Sequence, residues 1–170
     1  SLIEDWNVAR KYGTEVHLEI ENWIKNGTEP KDLRAVFAKS WIGGYVNKPH
    51  IKTLSEVIVF SEELGIAGTI DILMMNQDSN EYVLIDWKTS KRIDMKSFKG
   101  KMGIKKETKK IEDCNYNHYA LQLSLYRYIL ETYYGININR QIIAHLKEDG
   151  VQTYSTPYLK NEVKSMLVNT

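Results

Sequence analysis

Two apolar segments joined by a polar turn, each interrupted by one aspartate, constrain this chain more than any other feature. The stretch 68–90 reads GTIDILMMNQDSNEYVLIDWKTS, with turn-forming residues in its middle. Side chains of a strand alternate with a period of two, so Asp86 and Lys88 are predicted to share a face. If the turn is centred between residues 78 and 79, antiparallel pairing places Asp71 directly opposite Asp86.

Two opposed carboxylates on a stiff hairpin favour a catalytic role over a purely structural one. A buried carboxylate pair repels itself and needs a counter-charge, and a divalent cation is the usual one. One buried acid could belong to a structural salt bridge, but two acids with a lysine on the same face predict a metal-dependent phosphodiesterase centre. In such a centre one or two bound Mg²⁺ or Mn²⁺ ions make water nucleophilic and stabilise developing negative charge.

Composition narrows the class of protein. The chain has 170 residues, of which 42% are hydrophobic and 26% charged, as expected for one globular domain spanning 1–170. Its single cysteine, Cys114, excludes an internal disulfide and fits a reducing, intracellular compartment. That compartment would be the cytoplasm of a bacterium or of a phage-infected cell, with a mitochondrial or viral origin left open. No apolar run approaches the roughly 20 residues of a membrane span, so no membrane association is expected.

The charge of the chain is unevenly distributed. Its net charge is +1, but the segment 88–110 alone carries nine Lys and one Arg against two acids. Such a block is either a solvated segment or a loop that binds a phosphate backbone. Because it begins where the acidic hairpin ends, we predict a flexible basic loop at about 89–115. Its candidate nucleic-acid-binding residues are Lys91, Arg92, Lys96, Lys99 and Lys101.

Hydrophobic periodicity predicts mixed helices and strands. Helices are predicted at 2–26, at 31–42 with an end at Gly43-Gly44, at 116–134 and at 161–168. Strands are predicted at 51–60, 66–75, 82–88, 140–146 and 151–154. Both faces of the central strands are apolar, which indicates a sheet covered on both sides. One predicted face carries Ile70, Ile72 and Met74, and the other carries Leu73, Met75, Tyr82 and Leu84.

Two helices offer candidate site residues. Gly13, His17 and Glu21 are spaced i, i+4, i+8 and so share one face of the first helix. A glycine inside a helix costs about 1 kcal/mol relative to alanine, so Gly13 suggests close approach by another group. His17 is either a surface residue or a metal ligand. Glu21 and Glu56 could support the site or face solvent.

Gln122 and Tyr126 occupy one face of the helix 116–134. They are either the polar margin of a core helix or a stripe facing the acidic centre or a nucleic acid. The spacing alone leaves both interpretations open.

Four segments together resemble a known family. GTEVH from Gly13, GTID ending at Asp71, IDWKTS around Asp86 and QLSLY from Gln122 resemble the PD-(D/E)XK nuclease superfamily in its RecB-type exonuclease branch. They are similar to mitochondrial genome-maintenance exonucleases and to phage and viral relatives. The resemblance implies an α/β (α+β) fold with a restriction-endonuclease-like core, a central mixed β-sheet flanked by helices. Ile70 stands where the superfamily's proline would be.

The resemblance also implies roles for individual residues. Asp71, Asp86 and His17 would bind Mg²⁺ or Mn²⁺, with the backbone carbonyl of Trp87 as a further ligand. Lys88 would orient or activate the attacking water and offset charge at the phosphate. Gln122 and Tyr126 would position the site and the substrate. The cysteines that hold an iron–sulfur cluster in some relatives are missing, so no cluster is implied.

The expected activity is hydrolysis of DNA phosphodiester bonds at free, single-stranded ends in replication, repair or recombination. A helicase or a replication or recombination protein is a possible partner, since the chain has no helicase motif. One alternative is an endonuclease acting on DNA, or on RNA as in segmented-virus polymerases. Another is a non-catalytic nucleic-acid-binding module of the same fold. The Q-x-x-x-Y helix favours the exonuclease branch.

Overall fold

A five-stranded mixed sheet forms the centre of the protein. The computed structural model describes the backbone of residues 2–89 and 115–168, and the side chains of residues 13–89 and 116–168. The elements in chain order are α1 (Leu2–Asn26), α2 (Leu33–Val46), β1 (Ile51–Ser61), β2 (Ile66–Asn76), β3 (Glu81–Lys88), α3 (Asn115–Tyr133), β4 (Ile138–Lys147), β5 (Gly150–Thr156) and α4 (Lys160–Val168).

The strands follow one another across the sheet in the order β1-β2-β3-β4-β5. Neighbours are antiparallel except β3 and β4, which are parallel and therefore need the crossover that contains α3. Helices cover both faces of this sheet. The predicted α+β fold with a central mixed sheet flanked by helices is confirmed, and it is consistent with a restriction-endonuclease-like core.

Each face of the sheet has its own hydrophobic core. On one face, α1 and α2 place Val16, Ile20 and Ile42 against strand residues such as Ile85 and Trp87. On the other face, α3 packs against a second core that the sequence pattern also predicts. This core contains Ile70, Leu73, Leu84, Leu123, Leu130 and Ile143. The central strands are therefore buried on both sides, which explains their almost continuous apolar sequence.

The turn between β2 and β3 sets the register of the hairpin. Ile72 lies opposite Ile85 and Asn76 opposite Glu81, so the turn is centred between residues 78 and 79 as predicted. The side-chain oxygen Oδ1 of Asn76 accepts hydrogen bonds from the backbone N–H groups of Asp78 and Ser79. The register that the sequence analysis assumed for this hairpin is confirmed.

The second helix is longer than predicted. We expected it to end at Gly43-Gly44, and that boundary is wrong because α2 continues to Val46 and is capped at Asn47. Two glycines cost a helix about 2 kcal/mol in total relative to alanine. Burial of Ile42 against the sheet and the approach of the Trp23 ring to Gly43 favour continuing the helix there. Tertiary packing here overrides local propensity.

The alternation of side chains in β2 changes phase at Asp71. Ile72 and Met74 face α1 and α2, but Ile70 packs into the core under α3 together with Leu73. The prediction that Ile70 shares a face with Ile72 and Met74 is therefore wrong. The change of phase coincides with an irregularity in the neighbouring strand β1.

Glu56 in β1 has a φ of 53°, in the left-handed region that side chains rarely adopt. It interrupts the ladder between β1 and β2 at the position opposite Asp71, while pairing continues on both sides. A period-two pattern cannot anticipate such a local interruption, because it assumes an unbroken strand.

The predicted basic loop lies almost wholly outside the described residues, which have a gap at 90–114. The expectation of one domain over 1–170 stays a prediction. Among the helices of the described ranges, none is both long and apolar enough to cross a membrane.

Truncating a buried core residue of the central strand should cost far more than truncating an exposed residue of its neighbour. Ile72 is fully buried in β2, whereas Ile58 in β1 is 71% exposed. Ile72→Ala is expected to lower the free energy of unfolding by about 2–5 kcal/mol. Ile58→Ala should change it by less than about 1 kcal/mol, as surface substitutions do. Urea unfolding measures both, and equal costs would contradict the assigned core.

Candidate active site

The candidate site lies where β2 and β3 separate. The ladder between these strands ends at the pair Ile72–Ile85, although β2 continues to pair with β1 and β3 continues to pair with β4. At this point Asp71 Oδ2 accepts a hydrogen bond of 2.8 Å from the backbone N–H of Trp87. The Asp71 carboxylate thus accepts a hydrogen bond that a backbone carbonyl would accept in a continuous ladder. This bond fixes the carboxylate against β3.

Asp86 and Lys88 lie on the α3 side of β3, as the period-two pattern predicts. The ammonium of Lys88 is 3.0 Å from Asp86 Oδ2 and 4.1 Å from the centre of the Tyr119 ring. Both charged side chains are largely buried, with 23% and 17% of their surface exposed. Tyr119 therefore holds the ammonium from above by a cation–π contact while Asp86 neutralises it.

His17 reaches the site from the opposite side. Its Nε2 lies 3.1 Å from the carbonyl oxygen of Trp87 and 3.9 Å from Asp71 Oδ2. The buried neighbours Val16 and Ile20 anchor this part of α1 in the core, so the imidazole has a fixed position. The backbone of Trp87 contacts both His17 and Asp71, and so it links the helix to the hairpin.

Gly13 allows α1 to approach the end of β3. A Cβ atom built at Gly13 would lie only 3.0 Å from the side-chain oxygen of Thr89. The close approach that a glycine at this helical position suggested is therefore present. Because of this approach, the face of α1 that carries His17 contacts the chain directly after Lys88.

Burial and like charge together shift the ionisation of the site. Burial raises the pKa of Asp71 to about 8, and repulsion from Asp86 and a hydrogen bond with it act in the same direction. Burial lowers the pKa of His17, an effect only partly offset by the Trp87 carbonyl and by Asp86. Burial acts to lower the pKa of Lys88, but Asp86, together with Tyr119 and Asp71, raises that pKa overall. At neutral pH the imidazole is thus neutral and the lysine charged.

The donor atoms at this site suit a hard divalent cation. Asp86 Oδ2 is buried, and the Lys88 ammonium lies 3.0 Å from it. Carboxylate and carbonyl oxygens are the ligands that Mg²⁺ prefers, and an added imidazole also suits Mn²⁺. Within the described residues, no group of three or more His, Cys, Asp or Glu side chains is arranged so that it could hold a metal ion by itself. The fit therefore rests on Asp71, Asp86, His17 and the Trp87 carbonyl.

The two further acids that the sequence suggested lie beside this centre. Glu56 is close enough to Asp71 for its charge to raise the pKa of that carboxyl. Burial raises the pKa of Glu56 itself, and the charge of Glu21 adds to this effect. Glu21 is paired with Lys25 one helical turn later, so it is neutralised locally. Glu56 is thus adjacent to Asp71, and Glu21 is a neighbour of Glu56.

The polar stripe on α3 lies over β2. Gln122 Nε2 donates a hydrogen bond of 3.1 Å to the Tyr126 hydroxyl. The Tyr126 ring lies directly over Gly68, where an added Cβ would come within 2.4 Å of the ring. The Tyr126 ring also packs against the core under α3, so the polar margin of a core helix and a stripe facing the acidic centre or a nucleic acid both stay open.

Sequence reasoning missed Tyr119. Its distance of three residues from Gln122 and seven from Tyr126 places it on the same face of α3, and this spacing was available in the sequence. The five basic residues predicted to bind nucleic acid, Lys91, Arg92, Lys96, Lys99 and Lys101, lie outside the described residues.

Comparison with known proteins finds a distant structural likeness. No protein-family model matches the sequence, and no curated protein matches it. A crystal structure from Eubacterium rectale, named "Putative exonuclease", is similar with a TM-score of 0.40 and 16% sequence identity. The match covers 98% of this chain and 62% of that one, so the present chain spans less than two thirds of its neighbour. This similarity is too distant to assign a family or an activity.

Replacing Asp71 by asparagine should change how stability depends on pH. The pKa of Asp71 is about 8 in the fold against 3.8 for an unperturbed carboxyl. Between these values the folded state holds a proton that the unfolded state has lost, so stability from this group falls as pH rises from about 4 to about 8. Asp71→Asn removes this loss, and in EDTA its unfolding free energy should increasingly exceed that of the wild type as pH rises.

Urea unfolding between pH 5 and pH 9 tests this expectation, with Asp149→Asn in the exposed turn between β4 and β5 as the matched control. Asp149→Asn should follow the wild-type pH dependence. A difference between Asp71→Asn and the wild type that does not vary with pH would show that Asp71 is not a buried, proton-holding carboxyl.

A methyl group at position 68 should displace Tyr126. Gly68→Ala is expected to cost about 1–3 kcal/mol, as overpacking does. In a Tyr126→Ala background the same change should cost much less, because the clashing ring is gone. Gly44→Ala, in an open position on α2, should be neutral or slightly stabilising. Equal costs of Gly68→Ala in both backgrounds would exclude the contact.

Proposed function

We propose that this protein is a metal-dependent nuclease that hydrolyses DNA phosphodiester bonds, acting as an exonuclease on free, single-stranded ends. The observation that carries the proposal is the buried pair Asp71 and Asp86, with the Lys88 ammonium 3.0 Å from Asp86 and His17 3.9 Å from Asp71. Paired carboxylates kept next to a lysine and an imidazole are a costly arrangement for a fold that needs only stability.

Asp71, Asp86, His17 and the Trp87 carbonyl would hold one or two Mg²⁺ or Mn²⁺ ions. When bound, such an ion supplies a nucleophilic water and stabilises the developing charge on the phosphate. The protein prepares this role in two ways. Its low His17 pKa keeps the imidazole neutral and able to bind a cation, and the Trp87 N–H orients Asp71.

Lys88 acts through its charge. Because its pKa is raised, the side chain stays protonated at neutral pH and does not take a proton from water. Its ammonium instead orients the attacking water and offsets the negative charge of the phosphate. The contacts with Asp86 and Tyr119 fix the ammonium in place, so little reorganisation is needed when substrate binds.

The α3 stripe of Tyr119, Gln122 and Tyr126 supports substrate positioning. Gln122 is exposed and its amide is held by the Tyr126 hydroxyl. A fixed, exposed amide on this face of α3 can bind a phosphate or a base edge. The preference for an exonuclease acting on DNA derives from the sequence motifs, and partners such as a helicase are proposed on the same basis. The basic segment after Lys88 would attract the phosphate backbone.

The activity is tested by digesting end-labelled linear single- and double-stranded DNA beside a closed circle, with Mg²⁺ and with EDTA. We expect metal-dependent release of nucleotides from linear single strands and no cleavage of the circle. Cleavage of the circle would instead identify an endonuclease. Absence of cleavage with either Mg²⁺ or Mn²⁺ would support a non-catalytic binding module.

Removing the acid or the lysine should separate binding from cleavage. Asp86→Ala and Lys88→Ala are each expected to lower the cleavage rate at least about 100-fold, the usual effect of losing a charge-stabilising group. DNA binding should be retained, because the basic segment is intact. Glu81→Gln, an exposed change at the start of the same strand, is the control and should cleave normally. Undiminished cleavage by Asp86→Ala would sink the assignment.

A further inference from the structure

A cavity separate from the candidate active site lies between α2 and the sheet. Its volume is about 210 Å³, and it opens at the end of the sheet that carries the turn between β2 and β3. Cavities of about 150 Å³ lined by apolar side chains bind benzene. The present cavity therefore has room for a planar ring system larger than one benzene ring.

The lining of the cavity is mostly apolar and partly aromatic. Trp41 and Tyr45, one helical turn apart on α2, form one wall. Tyr45 is 48% exposed, so its ring lies at the mouth. The floor is formed by aliphatic and thioether side chains of α2 and the sheet, among them Ile42, Met74, Ile85 and Ile142. Flat rings pack well against such a surface.

The polar residues that line the cavity are Asn76, Glu81 and Arg140, and of these the Arg140 guanidinium is the group that can bind an anion. Asn76 Oδ1 already accepts hydrogen bonds from the turn, and Glu81 accepts one from Asn139. Arg140 lines the cavity, and its side chain has no hydrogen-bond or ion-pair partner in the part of the chain that the structure describes. Lys48 does not line the cavity, but its ammonium lies 5.2 Å from the centre of the Tyr45 ring.

We propose that this cavity binds the planar ring of an aromatic anion, with the ring against Trp41 and Tyr45 and the anionic group at Arg140. A guanidinium presents parallel N–H donors that match a carboxylate or a phosphate. The ligand could be an aromatic carboxylate or a purine nucleotide, which share this chemistry. The site does not depend on the proposed nuclease activity.

The cavity wall also touches the candidate active site. Trp41 packs edge-to-face on Trp87, with ring centres 5.7 Å apart and an angle of 81° between the rings. The backbone of Trp87 in turn contacts Asp71 and His17. A ligand packed against Trp41 is therefore separated by one side chain from Trp87, the residue that contacts both Asp71 and His17. Tryptophan fluorescence should report binding of such a ligand.

The test is isothermal titration in EDTA with two anionic probes, 2-naphthoate and adenosine 5′-monophosphate, and their neutral counterparts, 2-naphthamide and adenosine. At least one anion should bind one-to-one and more tightly than its neutral counterpart. Arg140→Ala should weaken that binding about tenfold, the effect of losing one charge-assisted hydrogen bond at a partly exposed site. Lys147→Ala, on the same strand but outside the cavity, should have no effect.

The aromatic wall is tested separately. Tyr45→Ala should weaken binding of the preferred anion, and Tyr45→Phe should restore it, because the ring and not the hydroxyl makes the contact. Both Tyr45 and Arg140 are exposed, so these variants should fold normally. Preference for naphthoate or for the nucleotide identifies the class of anion. Absence of binding by both probes, equal affinity for the neutral counterparts, or unchanged affinity in Arg140→Ala would overturn the proposal.

Discussion

The proximity of Asp71 and Asp86 at the point where β2 leaves β3 is the constraint that the other groups of the candidate site must satisfy. Two carboxylates in a largely buried position repel each other and lose the solvation of water. The fold compensates with a proton on Asp71, an ammonium at Asp86 and the N–H of Trp87. A bound divalent cation would replace that proton and satisfy both carboxylates together.

Each element around the hairpin contributes one part of this compensation. Helix α1 approaches through Gly13 and presents His17 from one face of the sheet. Helix α3 presents Tyr119 to Lys88 from the other face. The two hydrophobic cores hold these helices against the sheet, so the positions of the polar groups depend on apolar packing. Stability and the candidate chemistry are thus coupled through the same strands.

The sequence predicted features that depend on local spacing. Turn residues fixed the hairpin register, alternation placed Asp86 and Lys88 on one face, and helical spacing paired Gln122 with Tyr126. Features that depend on tertiary packing could not be derived in this way. The length of α2 and the shifted face of Ile70 are examples, because each follows from contacts with distant segments. The aromatic cavity beside Trp41 likewise combines residues from five elements.

The cation site proposed at Asp71, Asp86 and His17 can be measured without a nucleic-acid substrate. The experiment is isothermal titration of Mn²⁺ into the wild-type protein and into Asp86→Asn and His17→Ala. We predict that the wild type binds Mn²⁺ with release of a proton, because a ligating Asp71 must ionise. Each variant should bind at least about tenfold more weakly. Equal affinity in all three proteins, or no binding of Mn²⁺ by the wild type, would contradict the account.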